Sequence, residues 1–127
     1  MPAEAPDPRR LAAYRRGLGG EAAAVWLLRL KGYRILGRRV RFGAGEIDIV
    51  ARRGGVLAFV EVKRRATEAE ALVAVTPAAQ RRIAAAARVW LGRNPGFAHL
   101  TQRFDLVVVA ARRLPRHVAA AFEAEVW

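Results

Sequence analysis

The chain has 127 residues, a formal net charge of +12 and no cysteine. That length suits one domain with a real core, and the missing cysteines exclude disulfides and thiolate–zinc sites. The charge calls for a polyanionic partner, nucleic acid ahead of an anionic membrane surface; with no membrane-spanning apolar run and no hydrophobic leader, a cytoplasmic protein is expected.

Residues 1–16 carry Pro2, Pro6 and Pro8 with the pairs Arg9-Arg10 and Arg15-Arg16, which reads as a flexible basic tail before a single domain over 17–127. A helix is expected from Glu21 to Lys31, ended by Gly32. It is apolar at nearly every position, so most of it should be buried. Glu21 shares a face with Val25 and Leu28. It either complements the helix dipole or faces a bound cation. Tyr33 to Phe42 reads as a strand, and Gly43-Ala44-Gly45 turns the chain onward.

Glu46 to Lys63 is the most informative stretch. Two runs rich in β-branched residues flank Gly54-Gly55, a favoured hairpin turn. Pairing Arg53 with Val56 sets Asp48 opposite Glu61 and Glu46 opposite Lys63. Strict alternation would then put all four on one face. Opposed Cβ atoms lie about 5 Å apart. Two carboxylates that close repel by roughly 3 kcal/mol at an effective dielectric near 20. A cation between them would remove that cost; an edge hairpin with a solvated end and a Glu46–Lys63 ion pair is the plainer alternative. The chain holds 21 arginines but only two lysines, Lys31 and Lys63, so a lysine beside the acidic pair is notable. Lysine acts as a compact point charge, which arginine does not.

A loop should follow Lys63 through Val75, with Glu68 and Glu70 solvated. A second helix starts at Thr76, a good N-cap, with Pro77 at its first position. Ile83, Ala86, Ala87, Trp90 and Leu91 form its core stripe. Gly92 and Pro95-Gly96 stop it. Arg103 to Ala110 reads as a buried strand, and Val118 to Phe122 as a short helix or strand. The order is helix, three strands, helix, strand: an α/β fold with a mixed sheet flanked by helices. A right-handed crossover would bring Gln80, Arg81 and Arg82 near the acidic pair. Asp105, at the start of its strand, reads as a structural residue. His99 and His117 lie outside any ligand-like spacing and read as loop or surface residues.

This arrangement resembles the PD-(D/E)xK nuclease superfamily, with its restriction-endonuclease-like αβββαβ core. The signature here would be Asp48 followed by Glu61-Val62-Lys63; Ile47 stands where many members have proline. The chain is similar, over about Gly17 to Phe122, to a bacterial family of small proteins, the YraN-like family. The matching segments are Gly20-Glu21, Gly32-Tyr33, Ile35-Leu36, Gly45-Glu46-Ile47-Asp48, Phe59-Val60-Glu61-Val62-Lys63 with Arg65, Val75-Thr76, Gln80-Arg81-Arg82-Ile83 and Arg103-Phe104-Asp105. One departure is Ala79, where members of the family often carry lysine. The resemblance implies a Holliday-junction-resolvase-like nuclease fold.

The chemistry such residues would support is metal-dependent phosphodiester hydrolysis. Asp48 and Glu61 would hold Mg²⁺ or Mn²⁺, Lys63 would serve the attacking water or the developing charge, Glu21 would complete the outer shell and Gln80 would position water or backbone. Arg38, Arg39, Arg41, Arg64, Arg65, Arg81 and Arg82 would track the phosphates of DNA or another nucleic acid. No aromatic-rich reading surface stands out, so recognition of backbone or junction shape is expected. A homodimer is compatible with the sequence. Two other readings stay open: a binding adaptor of the same fold without useful catalysis, and a basic ribosome-associated protein.

Overall fold

A computed structural model of the chain describes residues 20–43 and 45–124. The predicted basic tail lies outside the described residues. Residues 20–30 form a helix, here α1. There follow strands β1 (Arg34–Phe42), β2 (Gly45–Arg53) and β3 (Val56–Arg64), helices α2 (Glu68–Ala74) and α3 (Pro77–Arg93), and strands β4 (Thr101–Val109) and β5 (Arg116–Phe122). The sheet order is β1-β2-β3-β4-β5. All neighbours are antiparallel except β3 and β4, which are parallel across the α2–α3 crossover. The predicted order of helix, three strands, helix and strand is therefore observed, with α2 and β5 added to it. No helix among the described residues is long and apolar enough to cross a membrane.

The close of α1 and the start of α3 are fixed by local chemistry. Gly32 adopts φ +90°, and the chain closes α1 with Tyr33 N–H to Leu28 C=O at 2.9 Å and Gly32 N–H to Arg29 C=O at 3.0 Å. That is a Schellman cap, which only a residue tolerant of positive φ completes cheaply. Thr76 Oγ1 accepts from Ala79 N–H at 3.2 Å and Pro77 follows it, as the sequence predicts for the start of α3.

The expected loop before α3 contains α2 instead. Thr67 Oγ1 accepts from Glu70 N–H at 3.1 Å, and the helix buries Ala71 against the sheet. Glu68 is not simply solvated either, since Arg116 of β5 reaches it at 3.4 Å. The tail segment resolves as a strand, antiparallel to β4.

Two cores sandwich the sheet. On one face α2 and α3 cover Ile47, Val50, Leu57, Phe59, Phe104 and Leu106, with Trp90 of α3 edge-on to Phe59. On the other, Ala24, Val25 and Leu28 of α1 pack on Ile49, Ala58, Val60 and Val107. Only this stripe of α1 is buried; Trp26 and Leu30 are exposed, contrary to the expectation of a mostly buried helix. One stripe suffices because α1 lies on the sheet with its other side in solvent. A Cβ on Gly45 would lie 2.5 Å from the Arg82 carbonyl, so glycine there lets α3 seat against the start of β2.

Asp105 is fully buried, and its carboxylate takes Arg103 at 2.7 Å, His117 Nε2 at 2.8 Å and Ala120 N–H at 3.0 Å. The structural role expected for it is what these bonds describe. His117, expected in a loop or at the surface, lies on β5 with its side chain 2% exposed, and Lys31 Nζ meets its Nδ1. Nothing local marks that histidine; the pairing of β4 with β5 buries it. Burial raises the Asp105 carboxyl, but the bonds from His117, Arg103 and Ala120 outweigh it and hold it at about 2. The sign follows from linkage: this carboxylate's contribution is complete above its ordinary 3.8 and is lost as pH falls through about 2. Asp105→Asn should cost on the order of 3 kcal/mol at neutral pH, because it strands a partly buried guanidinium, and should flatten the acid limb of the stability profile. Urea unfolding from pH 7 downward would check both.

Candidate active site

The paired register of the hairpin runs from Arg53↔Val56 to Ile49↔Val60, as the Gly54-Gly55 turn predicts. There it stops. Asp48 Oδ2 accepts from the backbone N–H of Val62 at 2.7 Å, so a side chain takes the place of the next ladder bond. Strict alternation also fails at this point. Ile47 is buried in the core under α3 and Ile49 in the core under α1, although they are two residues apart. Arg39, which lies across from Asp48 between the pairs Val40↔Ile47 and Arg38↔Ile49, has φ +49°. Such a conformation costs a non-glycine residue on the order of 1 kcal/mol and marks a kink in the β1–β2 pair. The simple picture of Glu46, Asp48, Glu61 and Lys63 in one row on one face is therefore corrected. The strands part at Asp48, and its carboxyl turns toward β3.

Even so, Asp48 and Glu61 meet. Each carboxyl stands close enough to shift the other, and Lys63 Nζ stands 3.5 Å from Glu61 Oε1. The Glu61 and Lys63 side chains are 16% and 27% exposed, so both remain reachable from solvent. Burial pushes the Glu61 carboxyl up to about 8, with the Asp48 charge adding to the rise and Lys63 opposing it. Asp48 is also raised, first by burial and further by Glu46, against the bonds from Val62 and Glu61. Two carboxyls sharing one site cannot both ionise cheaply, so the pair retains a proton at neutral pH.

Beside Asp48 lies a cavity of about 330 Å³, lined also by Glu21, Arg39, Arg41, Glu46, Val62 and Arg64. Glu61 and Lys63 do not line this cavity. Glu21 is buried and gripped by two guanidiniums: Arg38 Nε at 2.9 Å, and Arg39 Nε. The sequence had offered the helix dipole or a cation as its partner; two arginines of β1 are the partners observed. Those arginines are accordingly committed in part to Glu21, with side chains 45% and 50% exposed. Glu46 pairs with Arg41 at 3.4 Å across β1, and Lys63 takes Glu61 instead of Glu46.

Several predicted residues lie elsewhere. Gln80 Nε2 donates to Val75 C=O at 3.0 Å, which ties the α2–α3 junction together. Gln80 and Arg81 line a different cavity, with Pro77 and Arg88. Arg82 is exposed, and it is its backbone that abuts Gly45. Arg65 bonds the backbone of Arg64 at 2.7 Å on the surface. Ala79 packs against the core under α3. The crossover thus brings the α3 backbone to β2, but not the side chains of Gln80 and Arg81 into the cavity by Asp48. Glu46, which the hairpin register places on the face of Asp48 and opposite Lys63, lines the cavity with Asp48 and takes Arg41 as its partner.

The donor set is spare. Among the described residues, no three His, Cys, Asp or Glu side chains converge on one point that could hold a metal ion. Asp48 and Glu61 offer oxygens from two side chains, which suits a cation that keeps much of its own water, as Mg²⁺ does.

Comparison with known proteins agrees with the pattern of matching segments. The profile described as "Uncharacterised protein family UPF0102" matches residues 20–109. A UPF0102 protein of Bradyrhizobium sp. (strain ORS 278) is 54% identical over 123 residues, 97% of this chain and 87% of the relative. One from Rhodopseudomonas palustris (strain BisA53) is 52% identical over 123 residues, 97% of this chain and 95% of its own length. One from Chelativorans sp. (strain BNC1) is 54% identical over 115 residues, with 91% and 93% covered. The chain belongs to uncharacterised protein family UPF0102.

Proposed function

We propose that the protein is a metal-dependent endonuclease that hydrolyses phosphodiester bonds in DNA, selecting junctions, branches or single strands by shape. The observation that carries this reading is the neighbouring carboxyls of Asp48 and Glu61, with Lys63 Nζ 3.5 Å from Glu61 Oε1. The resemblance of Asp48 and Glu61-Val62-Lys63 to the PD-(D/E)xK signature supports it. So does the net charge of +12.

Asp48 and Glu61 would hold Mg²⁺ or Mn²⁺. When bound, the ion would supply Lewis acidity toward water and phosphate oxygen. Before it can do so, the carboxyl pair must release the proton it holds at neutral pH. Val62 N–H keeps Asp48 aimed at β3. Lys63 would orient the attacking water or hold charge as it develops on the phosphate. Glu21 serves as a positioning residue, since it fixes Arg38 and Arg39 at the cavity edge. Arg41 and Arg64, which line the cavity, would meet the phosphates on either side. The reading is tested by incubating the protein with nicked, branched and single-stranded DNA in Mg²⁺ and Mn²⁺. Metal-dependent product, lost on changing Lys63, is expected.

A catalytically inactive adaptor of the same fold is the second reading. Glu21 favours it, because its two arginines already neutralise a carboxylate that a nuclease would otherwise turn toward a cation. Both readings share one expectation, salt-sensitive and sequence-tolerant binding. Each phosphate contact should contribute a slope of roughly −0.9 in log K against log salt on duplex DNA. Fluorescence anisotropy at several salt concentrations would measure it. An affinity that is flat from low to high salt would remove the polyanion as partner.

A further inference from the structure

Trp26 is 52% exposed and Leu30 66% exposed on the outer side of α1. Ala22, Trp26 and Leu30 recur at every fourth residue, so they share one stripe. With Val25, Arg29 and Arg38 they line a cleft of about 340 Å³. A tryptophan half in solvent is unusual in a chain that buries Trp90 at 6% exposure. It is also flanked by two guanidiniums. Arg29 has no carboxylate partner among the described residues, and Arg38 reaches Glu21 through its Nε.

The cleft adjoins the candidate active site through shared residues. Arg38 lines the cleft and grips Glu21; Glu21 lines the cavity beside Asp48. Glu21 and Trp26 are five residues apart on α1, an axial rise of about 7.5 Å, with Glu21 on its buried face and Trp26 on its outer face. The rim is cationic, and the whole chain carries +12, so a second copy seated here would meet like charge, whereas a polyanion would meet opposite charge.

We propose that this cleft is a subsite for an unpaired nucleobase. The indole of Trp26 stacks on the base, Leu30 and Ala22 floor it, and Arg29 and Arg38 hold the flanking phosphates. Stacking on an exposed aromatic is tolerant of sequence because every base has a π face. The inference rests on the nucleic-acid reading above and narrows it: the substrate has an unpaired base beside the phosphate presented to Asp48. Paired duplex cannot use the cleft, because its bases face inward.

The test uses the full chain, Trp26→Ala and Trp26→Phe, with three probes: single-stranded oligothymidine, the same strand with abasic sites, and a blunt duplex. Anisotropy gives the affinities, with circular dichroism to check folding and light scattering to follow mass. Trp26→Ala should weaken the single strand by about 10-fold, the size of one lost base–aromatic stack, and leave the duplex unchanged. Trp26→Phe should keep most of the affinity. On the abasic strand, wild type and Trp26→Ala should bind alike. An equal loss on all three probes, or no loss on any, would overturn the subsite while leaving the nucleic-acid reading intact. A fall in mass from dimer to monomer with unchanged affinities would also overturn it and assign the cleft to a second copy. Failure of the wild type to bind any probe would overturn the nucleic-acid reading, and this inference with it.

Discussion

Lys63→Ala should reduce single-turnover cleavage by about 100-fold or more while leaving divalent-cation binding intact or slightly tighter. The rate loss is the size expected when one group that stabilises developing charge is removed. The binding result follows from position. Lys63 Nζ stands 3.5 Å from Glu61 and helps to hold that carboxyl in its charged form. Without it, deprotonation of Glu61 becomes harder, but the site also loses a positive charge that repels an incoming cation, and the second effect offsets the first. Overall nucleic-acid affinity should change little, since the variant loses one of 23 basic side chains. Calorimetry with Mn²⁺ and rapid-quench cleavage separate these effects. If the wild type cleaves and Lys63→Ala cleaves equally well, Lys63 has no part in the chemistry.

Glu61→Gln should do the opposite to metal binding and reveal what the closely paired carboxyls cost the fold. The Glu61 carboxyl rises from its ordinary 4.5 to about 8, mainly through burial and then through the Asp48 charge. The folded protein therefore holds a proton that the unfolded chain has released across that window. The metal-free protein should lose stability as pH rises from about 4.5 through about 8, the sign expected for a raised acid. Glutamine cannot ionise, so the variant should be flatter in pH and, above pH 8, more stable than wild type by on the order of a few kcal/mol. It should also lose most of the stabilisation that Mn²⁺ gives the wild type, along with cleavage. Thermal melts from pH 5 to 9, with and without Mn²⁺, check both limbs. A wild-type profile that rises across that range would contradict the strained carboxyl pair.

Much of this geometry can be read from the chain. Gly54-Gly55 fixes the hairpin register as far as Ile49↔Val60, the last pair before Asp48 and Glu61. Thr76-Pro77 fixes the start of α3. The helix at Glu68–Ala74 is short and lacks an apolar period, yet it carries a signal: Thr67 followed three residues later by Glu70, the spacing of a capping box. Other features have no local signature. The break in alternation at Asp48 depends on Arg39 across the strand pair, and φ +49° at an arginine is not encoded by residue type. The Arg38 and Arg39 grip on Glu21 joins α1 to β1, and the bond from His117 to Asp105 joins β5 to β4. Such contacts exist only once the sheet has assembled. The exposure of Trp26 belongs to the same class, since an apolar helix does not say which of its faces the sheet will cover.

The most direct measurement is single-turnover cleavage by the wild-type protein across nicked, branched and single-stranded DNA and RNA, with Mg²⁺, with Mn²⁺ and with chelator. Cuts are expected in at least one DNA carrying unpaired bases, dependent on the metal and abolished by chelator. Tight, salt-sensitive binding with no cut in any substrate under either metal would contradict a nuclease, and the protein would then be an adaptor that binds nucleic acid without cleaving it.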